Sequence, residues 1–268
     1  MLHLASSVSK RWSVDNAVLR ITDLPKRYQR KGQPDATAGE NACLEVFPNE
    51  CVGLVGGSGS GKSTIAQMVT RLIDSTSGSI ELAGRDITTA RGAEQRTLAK
   101  DVQMVFQNPV SSFDPRRTLG DGISEAMRNF GMGKQEARAR TVALLEQCGL
   151  PASFADRYPR EVSGGQCQRA AIARALAPNP KLIIFDEATS ALDATVQAQI
   201  IELLRKVHRE SGTAYLFICH DLALVQGFCD RVYVMQLGRI VEEGPAWDVT
   251  THPKHPYTRS LLDSVLMA

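Results

Sequence analysis

The sequence predicts an α/β protein with a mostly parallel β-sheet, and three observations lead to that prediction. The run GGSGSGKST, residues 56–64, lies between a short apolar segment and a segment whose apolar residues have helical spacing. Short apolar runs alternate with helical segments along the chain, and the later runs are almost continuously apolar, which is typical of parallel strands covered on both faces. Between about residues 110 and 177 the strand signal disappears, which predicts an all-helical insert.

The individual elements follow from the spacing of apolar residues. Strands are predicted at residues 18–21, 44–47, 51–55, 79–82, 102–106, 182–185, 215–219 and 232–235. Helices are predicted at residues 64–73, 122–130, 134–147 and 164–177. The first of these helices carries Ile65, Met68, Val69 and Leu72 on one face. Residues 32–41 are polar, contain a proline and a glycine, and are predicted to form a loop.

Bulk composition is that of an ordinary globular protein. The chain has 268 residues, which is enough for one large domain or for a domain with a subdomain. A net charge of only +2 does not indicate a nucleic-acid partner. No apolar run approaches the ~18–20 residues needed to cross a bilayer, and the N-terminus lacks the apolar core of a signal peptide. A secreted protein and a membrane-spanning protein are therefore both disfavoured.

The cysteines indicate a reducing compartment. The six of them (residues 43, 51, 148, 167, 219 and 229) are scattered and never form C-x-x-C. Cys51 and Cys219 fall in predicted buried strands. We expect them to behave as small apolar residues, and we expect neither a metal site nor a disulfide framework.

Residues 56–64, called the phosphate loop below, fit the pattern G-x-x-x-x-G-K-[ST] with Gly56, Gly61, Lys62 and Ser63. Such a strand-to-helix turn wraps backbone N–H groups around phosphates, and the positive end of the helix faces them. Lys62 adds a cation, and the Ser63 hydroxyl can bind Mg²⁺. A flexible Gly/Ser loop is the alternative, which the flanking strand and helix disfavour. The expected binding residues are Gly56, Gly57, Ser58, Gly59, Ser60, Gly61, Lys62, Ser63 and Thr64.

A pair of acidic residues supplies the second half of a phosphate site. In KLIIFDEATSALD, residues 181–193, four apolar residues end in Asp186 and Glu187. The carboxyl end of a buried parallel strand faces the ligand crevice of an open sheet. Asp186 is a candidate for holding Mg²⁺, and Glu187 is a candidate general base for an attacking water. Two solvated carboxylates at a loop are the alternative, but the pairing with the phosphate loop favours a site.

A third motif, VSGGQCQRAAIARAL at residues 162–176, begins a helix. Ser163 is a good N-cap, and Gly164 and Gly165 leave backbone N–H groups uncovered, which makes a second anion-binding terminus. Taken alone, this motif is better explained by simple capping.

With these three motifs in this order, the chain resembles the ATP-binding cassette (ABC) family over nearly its whole length. The family signature usually reads L-S-G-G-Q, and Val162 replaces the leucine here. The resemblance implies a RecA-like P-loop fold with an added antiparallel β part. It implies one ATP-binding domain over residues 1–268, a helical signature subdomain at 110–177 and a C-terminal tail at 245–268. ATP and Mg²⁺ are the implied cofactors.

The resemblance also implies that two cassettes pair head to tail, so that each signature helix closes over the ATP held by the other chain. Ser163, Gly164, Gly165 and Gln166 then bind nucleotide across the interface. Asp193 matches the family's loop that contacts the opposite chain.

Three further residues match family positions. Tyr28 matches the aromatic residue that stacks on adenine, with a surface tyrosine as the alternative. Gln107 matches the glutamine that senses Mg²⁺ and the attacking water and couples to the membrane partner. His220 matches the histidine that reaches the γ-phosphate, although a lone histidine at a strand end is more often structural.

Three functions remain possible at this point. The first is the ATPase subunit of a transporter whose channel is a separate chain. The second is a soluble cassette ATPase of DNA repair or translation type, which usually carries coiled coils, zinc ligands or two cassettes. The third is a P-loop phosphotransferase, which leaves the signature helix and the helical insert unexplained. One phosphate loop, one signature and no heptad array favour the first function.

Two local segments resemble importers of oligopeptides, dipeptides and nickel: QNPVSSFDPRRTLGDGI at residues 107–123 and HPKHPYTRSLL at residues 252–262. This resemblance implies an ATPase that powers uptake of peptides, nickel or metal chelates from the cytoplasmic face of the membrane. The implied partners are membrane permease subunits, a second identical or related ATPase subunit and, indirectly, an extracytoplasmic binding protein. The cysteine cluster that holds iron–sulfur in some members is not seen, so we expect no such cofactor. No role for residues 252–262 follows from the sequence.

Overall fold

The computed structural model of the chain describes residues 16–28, 36–40 and 42–266. Its strands are β1 (Leu19–Thr22), β2 (Lys26–Tyr28), β3 (Ala36–Ala38), β4 (Leu44–Val46), β5 (Cys51–Val55), β6 (Ser79–Leu82), β7 (Arg85–Asp86), β8 (Val102–Val105), β9 (Leu182–Asp186), β10 (Ala214–Cys219), β11 (Arg231–Gln236) and β12 (Arg239–Pro245). Its α-helices are α1 (Lys62–Val69), α2 (Ala93–Asp101), α3 (Leu119–Asn129), α4 (Lys134–Gln147), α5 (Gly164–Leu176), α6 (Ala194–Ser211), α7 (Leu222–Phe228), α8 (Ala246–Thr251) and α9 (Pro256–Leu266).

The large sheet has the strand order β12-β11-β5-β10-β9-β8. The strands from β11 to β8 are parallel, and β12 joins the edge as the antiparallel partner of β11. All residues of β5 and β10 are buried. The mostly parallel sheet predicted from continuous apolar runs is therefore confirmed.

Strand β5 divides two hydrophobic cores. Its alternate residues Cys51 and Val55 belong to one core, and Val52 and Leu54 belong to the other. This division follows from the two-residue period of a strand, which sends successive side chains to opposite faces. The end of β5 is thereby held rigidly from both sides, and the phosphate loop begins there.

A second, antiparallel sheet has the order β4-β1-β6-β7. Leu19 and Ile21 of β1 point into the core that also contains Val52 and Leu54 of β5. The antiparallel β part that the family resemblance implied is thus present, and it covers one face of the parallel sheet.

The prediction that residues 32–41 form a loop is wrong in part. Residues Ala36–Ala38 form β3, which pairs antiparallel with β2, and Tyr28 lies opposite Ala36. The three-residue strand has no local apolar pattern, and its hydrogen bonds are made with a segment that the sequence does not identify as a partner. Residues 29–35 and residue 41 lie outside the described residues, as does most of the N-terminal stretch considered for a signal peptide.

The helix predicted at residues 64–73 begins and ends earlier in the sequence than predicted. It runs from Lys62 to Val69, and Arg71 then adopts a positive φ of 57°. That conformation ends the helix and leaves Leu72 56% exposed, so Leu72 does not belong to the buried face.

Every regular element between Val110 and Leu176 is helical, as predicted. Buried residues of this region, such as Leu144 and Ile172, share one continuous core with Phe185 of β9. The helical region therefore packs directly onto the parallel sheet. Among the helices of the described residues, none combines the length and apolar character that crossing a bilayer requires.

Candidate functional site

The phosphate loop turns from β5 into α1 at the carboxyl edge of the parallel sheet. Gly61 caps the helix with φ 106°, a conformation that favours glycine. At Gly56 a Cβ atom would lie 2.1 Å from the carbonyl oxygen of Met235 in β11, so only glycine fits there. The glycines of the motif are thus required by the path of the loop itself.

Lys62 lies at the centre of this loop and is only 4% exposed. Its Nζ donates hydrogen bonds to the carbonyl oxygens of Gly56 at 2.8 Å and Gly57 at 2.9 Å. Burial lowers the pKa of Lys62, while the carboxylates of Glu187 and Asp186 act in the opposite direction. A buried cation within a turn of backbone N–H groups suits a polyphosphate ligand.

Ser63 joins the phosphate loop to the acidic end of β9. Its hydroxyl donates a hydrogen bond of 2.9 Å to Oδ1 of Asp186. Burial raises the pKa of Asp186; the Ser63 bond opposes this effect and the neighbouring Glu187 adds to it. Because a hydroxyl and a carboxylate are the hard oxygen ligands that Mg²⁺ prefers, this pair of residues fits a magnesium ion.

Glu187 follows Asp186 with a strained backbone. Its φ is 48°, which is unusual for a residue other than glycine. Its N–H donates to the carbonyl oxygen of Ile218 in β10 at 3.0 Å. Conformations of this kind cost on the order of 1–3 kcal/mol and persist where the surrounding structure enforces them, often at active sites.

Gln107 is connected to the Glu187 turn through Ser190. Its Nε2 donates to Ser190 Oγ at 3.2 Å, and that hydroxyl donates to the carbonyl oxygen of Glu187 at 2.9 Å. Sequence reasoning identified Gln107 but missed Ser190, which lies within the quoted residues 181–193.

Tyr28 and His220 are positioned by different sheets: Tyr28 ends β2 of the two-stranded β2–β3 sheet, and His220 follows β10 of the large sheet. The Tyr28 hydroxyl lies 3.4 Å from Oγ1 of Thr64 at the start of α1, and the residue is 37% exposed. His220 directly follows β10, which lies between β5 and β9 in the sheet. Because the carboxyl ends of parallel strands share one edge, His220 is near both halves of the site.

The signature residues are organised separately, at the start of α5. Ser163 Oγ accepts from the Gln166 N–H at 3.3 Å, and Gln166 Oε1 accepts from the Ser163 N–H at 2.9 Å, which forms a capping box. A Cβ atom at Gly165 would lie 2.6 Å from Val196 of α6, whereas Gly164 faces open space. Within one chain, the simple capping alternative thus accounts for Ser163 and Gln166.

Asp193 is the N-cap of α6, because its carboxylate accepts from the Val196 N–H at 3.0 Å. Its expected contact with an opposite chain stays a prediction. Among the hydrogen bonds of the described residues, none joins residues 163–166 or Asp193 to the phosphate loop.

Two contacts to the phosphate loop were missed by sequence reasoning. The Gly238 N–H in the β11–β12 hairpin donates to the Ser60 carbonyl oxygen at 2.9 Å. The Tyr257 hydroxyl accepts from the Gly57 N–H at 2.8 Å. The only signal for Tyr257 was its place in the segment HPKHPYTRSLL, for which no role could be derived.

Comparison with known proteins identifies the family of the chain. A family profile described as ABC transporter matches residues 40–190, which is more than half of the chain. The chain belongs to the ABC transporter family. It is an ATP-binding cassette, as the three motifs predicted.

Two curated relatives of this ABC cassette are both named glutathione import ATP-binding protein GsiA. The protein from Salmonella choleraesuis (strain SC-B67) is 50% identical over 232 residues, which cover 86% of this chain and 37% of that protein. The protein from Escherichia coli (strain K12) is 48% identical over 259 residues, which cover 94% and 41%. The chain thus spans about two fifths of the length of these relatives.

Solved structures have the same fold. A dimeric structure of the ATP-binding cassette MJ0796 in a post-hydrolysis state, bound to ADP and Pi, is 29% identical with a TM-score of 0.77 and covers 85% of this chain and 98% of that one. The structure of cbiO1 from Clostridium perfringens is 27% identical with a TM-score of 0.79 and covers 88% and 92%. The predicted ABC cassette fold, with parallel sheet, antiparallel sheet and helical region, is confirmed.

Proposed function

We propose that this ABC cassette hydrolyses ATP and thereby powers the import of glutathione or another short peptide. The observation that carries the proposal is the Ser63–Asp186 contact, with Glu187 next in sequence, in a chain that is 50% identical to GsiA over 232 residues. That contact joins a phosphate loop to a strand end that carries two carboxylates. Cleavage of a terminal phosphate needs both parts, because the loop holds the phosphates and the carboxylates can hold Mg²⁺ and activate a water.

The phosphates are held by the backbone N–H groups of the phosphate loop and by Lys62. The Lys62 ammonium now bonds to Gly56 and Gly57, and it exchanges these carbonyl oxygens for phosphate oxygens when a nucleotide binds. Tyr28 stacks on the adenine, which is supported by its contact with Thr64 at the end of the loop. Binding and orientation together lower the barrier, because phosphoryl transfer depends mainly on positioning and charge stabilisation.

Ser63 and Asp186 would hold Mg²⁺, with Gln107 as a further ligand or sensor. When bound, the ion neutralises charge that develops on the phosphate oxygens. The two side chains define the metal side of the site, because the Ser63 hydroxyl and the Asp186 carboxylate meet at 2.9 Å.

Glu187 orients the attacking water as general base. The bond from its N–H to Ile218 and the Ser190 contact to its carbonyl oxygen support this role, because they fix the backbone from which the carboxylate projects. His220 completes the enclosure at the γ-phosphate. Gln107 reaches the same turn through Ser190, so a change at Gln107 is transmitted to the backbone of Glu187.

A second cassette completes the site. Ser163, Gly164, Gly165 and Gln166 of one chain close over the nucleotide held by the other, and Asp193 contacts the opposite chain. The dimeric structures of MJ0796 support this pairing. The second chain is either an identical copy or a related ATPase subunit.

Coupling to transport requires permease subunits in the membrane, with this chain attached peripherally at the cytoplasmic face. An extracytoplasmic binding protein selects the substrate and acts on this chain only indirectly. The GsiA relatives support a peptide-type substrate over nickel or a metal chelate, and an importer over the DNA repair alternative. We propose no nucleic-acid partner.

The domain boundaries follow the same proposal. Residues 1–268 form one ATP-binding domain, in which residues 110–177 are the signature subdomain and residues 245–268 are the tail. The helices between Val110 and Leu176 support a separate signature subdomain. The core that their buried residues share with the sheet supports one continuous domain.

Transport in a strain that lacks the gene tests the proposal. We expect uptake of radiolabelled glutathione to fall and to be restored by the wild-type chain but not by Glu187→Gln. The matched control is Glu202→Gln, an exposed carboxylate on α6 that should restore uptake fully. If nickel uptake falls while peptide uptake is unchanged, the assigned substrate class is wrong. If neither changes, the importer assignment is wrong.

A further inference from the structure

Residues 252–262, HPKHPYTRSLL, form a segment that we call the tail segment, and it packs beside the phosphate loop. Tyr257, near the start of α9, lies 200 residues from Gly57 in sequence, yet its hydroxyl accepts the Gly57 N–H at 2.8 Å. The Tyr257 ring is half-buried against the main core, together with Leu261 and Leu262. The packing of the ring therefore fixes the position of the hydroxyl at the loop.

Glu242 of β12 anchors the turn that precedes Tyr257. Its two carboxylate oxygens accept the N–H groups of Lys254 at 2.8 Å and His255 at 3.0 Å. His255 Nδ1 accepts the Tyr257 N–H at 3.2 Å, and Arg259 Nε donates to the Pro253 carbonyl oxygen at 3.0 Å. The polar residues of the tail segment thus hold one turn in place, and Tyr257 projects from that turn.

Gly57 has both of its backbone polar groups engaged. Its carbonyl oxygen accepts from Lys62 Nζ at 2.9 Å and from the Ser60 N–H at 3.3 Å, and its N–H donates to Tyr257. A Cβ atom at Gly57 would lie 3.0 Å from the Tyr257 hydroxyl, which is closer than an ordinary contact. Because glycine is the residue with the least intrinsic backbone restraint, this hydrogen bond restricts the loop more than it would at another residue.

We propose that Tyr257 is a positioning residue for nucleotide binding: its hydroxyl holds the start of the phosphate loop in the shape that aims the following N–H groups at the phosphates. Tyr257 acts through Gly57 and does not itself touch the nucleotide. The inference deepens the proposed function and rests on it, since the phosphate loop is the ATP site. It also gives the tail segment a physical role.

The direct test is Tyr257→Phe, which removes the hydroxyl and keeps the ring. The matched control is Tyr233→Phe, because the Tyr233 hydroxyl also accepts a distant backbone N–H, that of Glu45 at 3.2 Å, in the antiparallel sheet region. Both variants lose a backbone N–H bond of the same kind, and Tyr233→Phe also loses the interaction of its hydroxyl with the Arg231 side chain. Only the Tyr257 bond holds the phosphate loop.

Two quantities are measured for each variant. One is the rate of hydrogen exchange of the Gly57 amide in nucleotide-free protein, and the other is the dissociation constant of ATP, obtained by titration. For Tyr257→Phe we expect faster exchange and about two- to tenfold weaker ATP binding, the effect of one net hydrogen bond. The turnover rate at saturating ATP should change far less than KM. Tyr233→Phe should leave the Gly57 exchange and the ATP affinity unchanged.

Unchanged exchange and unchanged affinity in Tyr257→Phe would overturn the inference. Equal loss of ATP affinity in Tyr257→Phe and Tyr233→Phe would also overturn it, because the effect would then reflect general destabilisation. If the wild-type chain imports no peptide but Tyr257→Phe has the expected exchange and affinity, the inference stands and the proposed function fails. Neither measurement requires transport.

A double-mutant cycle tests the contact itself. Gly57→Ala should weaken ATP binding, because its Cβ meets the Tyr257 hydroxyl. Gly57→Ala combined with Tyr257→Phe should weaken binding less than the two single effects together, since the clash is removed with the hydroxyl. Strict additivity would contradict a direct coupling between Gly57 and Tyr257.

Discussion

The Ser63 hydroxyl and the Asp186 carboxylate lie 2.9 Å apart, although 123 residues separate them in the chain. Ser63 lies in the phosphate loop and in the first turn of α1, and Asp186 ends β9. Their contact joins the two halves of the candidate ATP site, and it identifies the side of the site where a magnesium ion fits.

Ser63→Ala should remove most of the Mg²⁺ dependence of ATP binding. The hydroxyl belongs to the pair of hard oxygen ligands assigned to the ion, and Asp186 without Ser63 should hold the ion more weakly. The measurement is ATP titration with Mg²⁺ and with EDTA. Ser124→Ala in α3, whose hydroxyl bonds to the Asp121 carbonyl oxygen, is the control. An undiminished Mg²⁺ effect in Ser63→Ala would contradict the metal assignment.

Glu187→Gln should bind ATP with near wild-type affinity but hydrolyse it about 10²–10⁴-fold more slowly, the usual contribution of a general base. The amide keeps the size of the side chain and cannot take a proton from water. A steady-state phosphate-release assay measures the rate, with Glu202→Gln as the control. Hydrolysis at the wild-type rate would show that Glu187 is not the base.

Lys62→Ala should lose ATP and ADP binding together, because the ammonium is the buried cation at the centre of the loop. Titration with a fluorescent nucleotide checks this result. Lys181→Ala is a control, since the exposed Lys181 side chain pairs with Asp101 away from the loop. Wild-type affinity in Lys62→Ala would contradict the assignment of the phosphate loop.

A mixture of two inactive variants should regain activity if the site is shared between chains. Lys62→Ala damages the phosphate loop, and Ser163→Arg blocks the signature. A mixed dimer contains one site in which both halves are intact, so phosphate release should reappear on mixing. If each variant stays inactive alone and the mixture is inactive too, two identical chains do not complete each other's site.

Cys43 should react first with a thiol reagent. All six cysteines lie within the described residues, and Cys43 is exposed whereas the others are buried. Burial raises the pKa of Cys148 to about 12 and that of Cys167 to about 11, so their thiolate fractions are small at pH 8. Ellman's reagent at pH 8 should give one fast thiol per native chain. A fast phase that survives in Cys43→Ser would contradict this prediction.

The candidate site was largely predictable where its chemistry is contained in short segments. The turn from β5 through Gly56 and Lys62 into α1 is encoded by adjacent residues, and so is the apolar run that ends in Asp186 and Glu187. Such patterns are readable because backbone geometry and residue type are local. The end of α1 at Val69 could not be predicted, because the positive φ that Arg71 adopts just after it has no signature in the sequence.

Contacts between distant segments could not be predicted in the same way. Pairing of β2 with β3 depends on hydrogen bonds to a partner strand that nothing in Ala36–Ala38 specifies. Ser190 was visible in the sequence, but its place between Gln107 and Glu187 depends on how β8 and β9 are joined in the sheet.

By itself, the sequence determined the chemistry of this ABC cassette: a phosphate loop with Lys62, an acidic strand end with Asp186 and Glu187, and a capped signature helix. Only the tertiary structure decided that Ser63 meets Asp186 and that Tyr257 holds Gly57. The physical reason is that hydrogen bonds form wherever the fold brings a donor to an acceptor. The packing of the parallel sheet brings together Ser63 and Asp186, which are 123 residues apart, and the packing of α9 brings together Tyr257 and Gly57, which are 200 residues apart. No local sequence pattern extends over such separations.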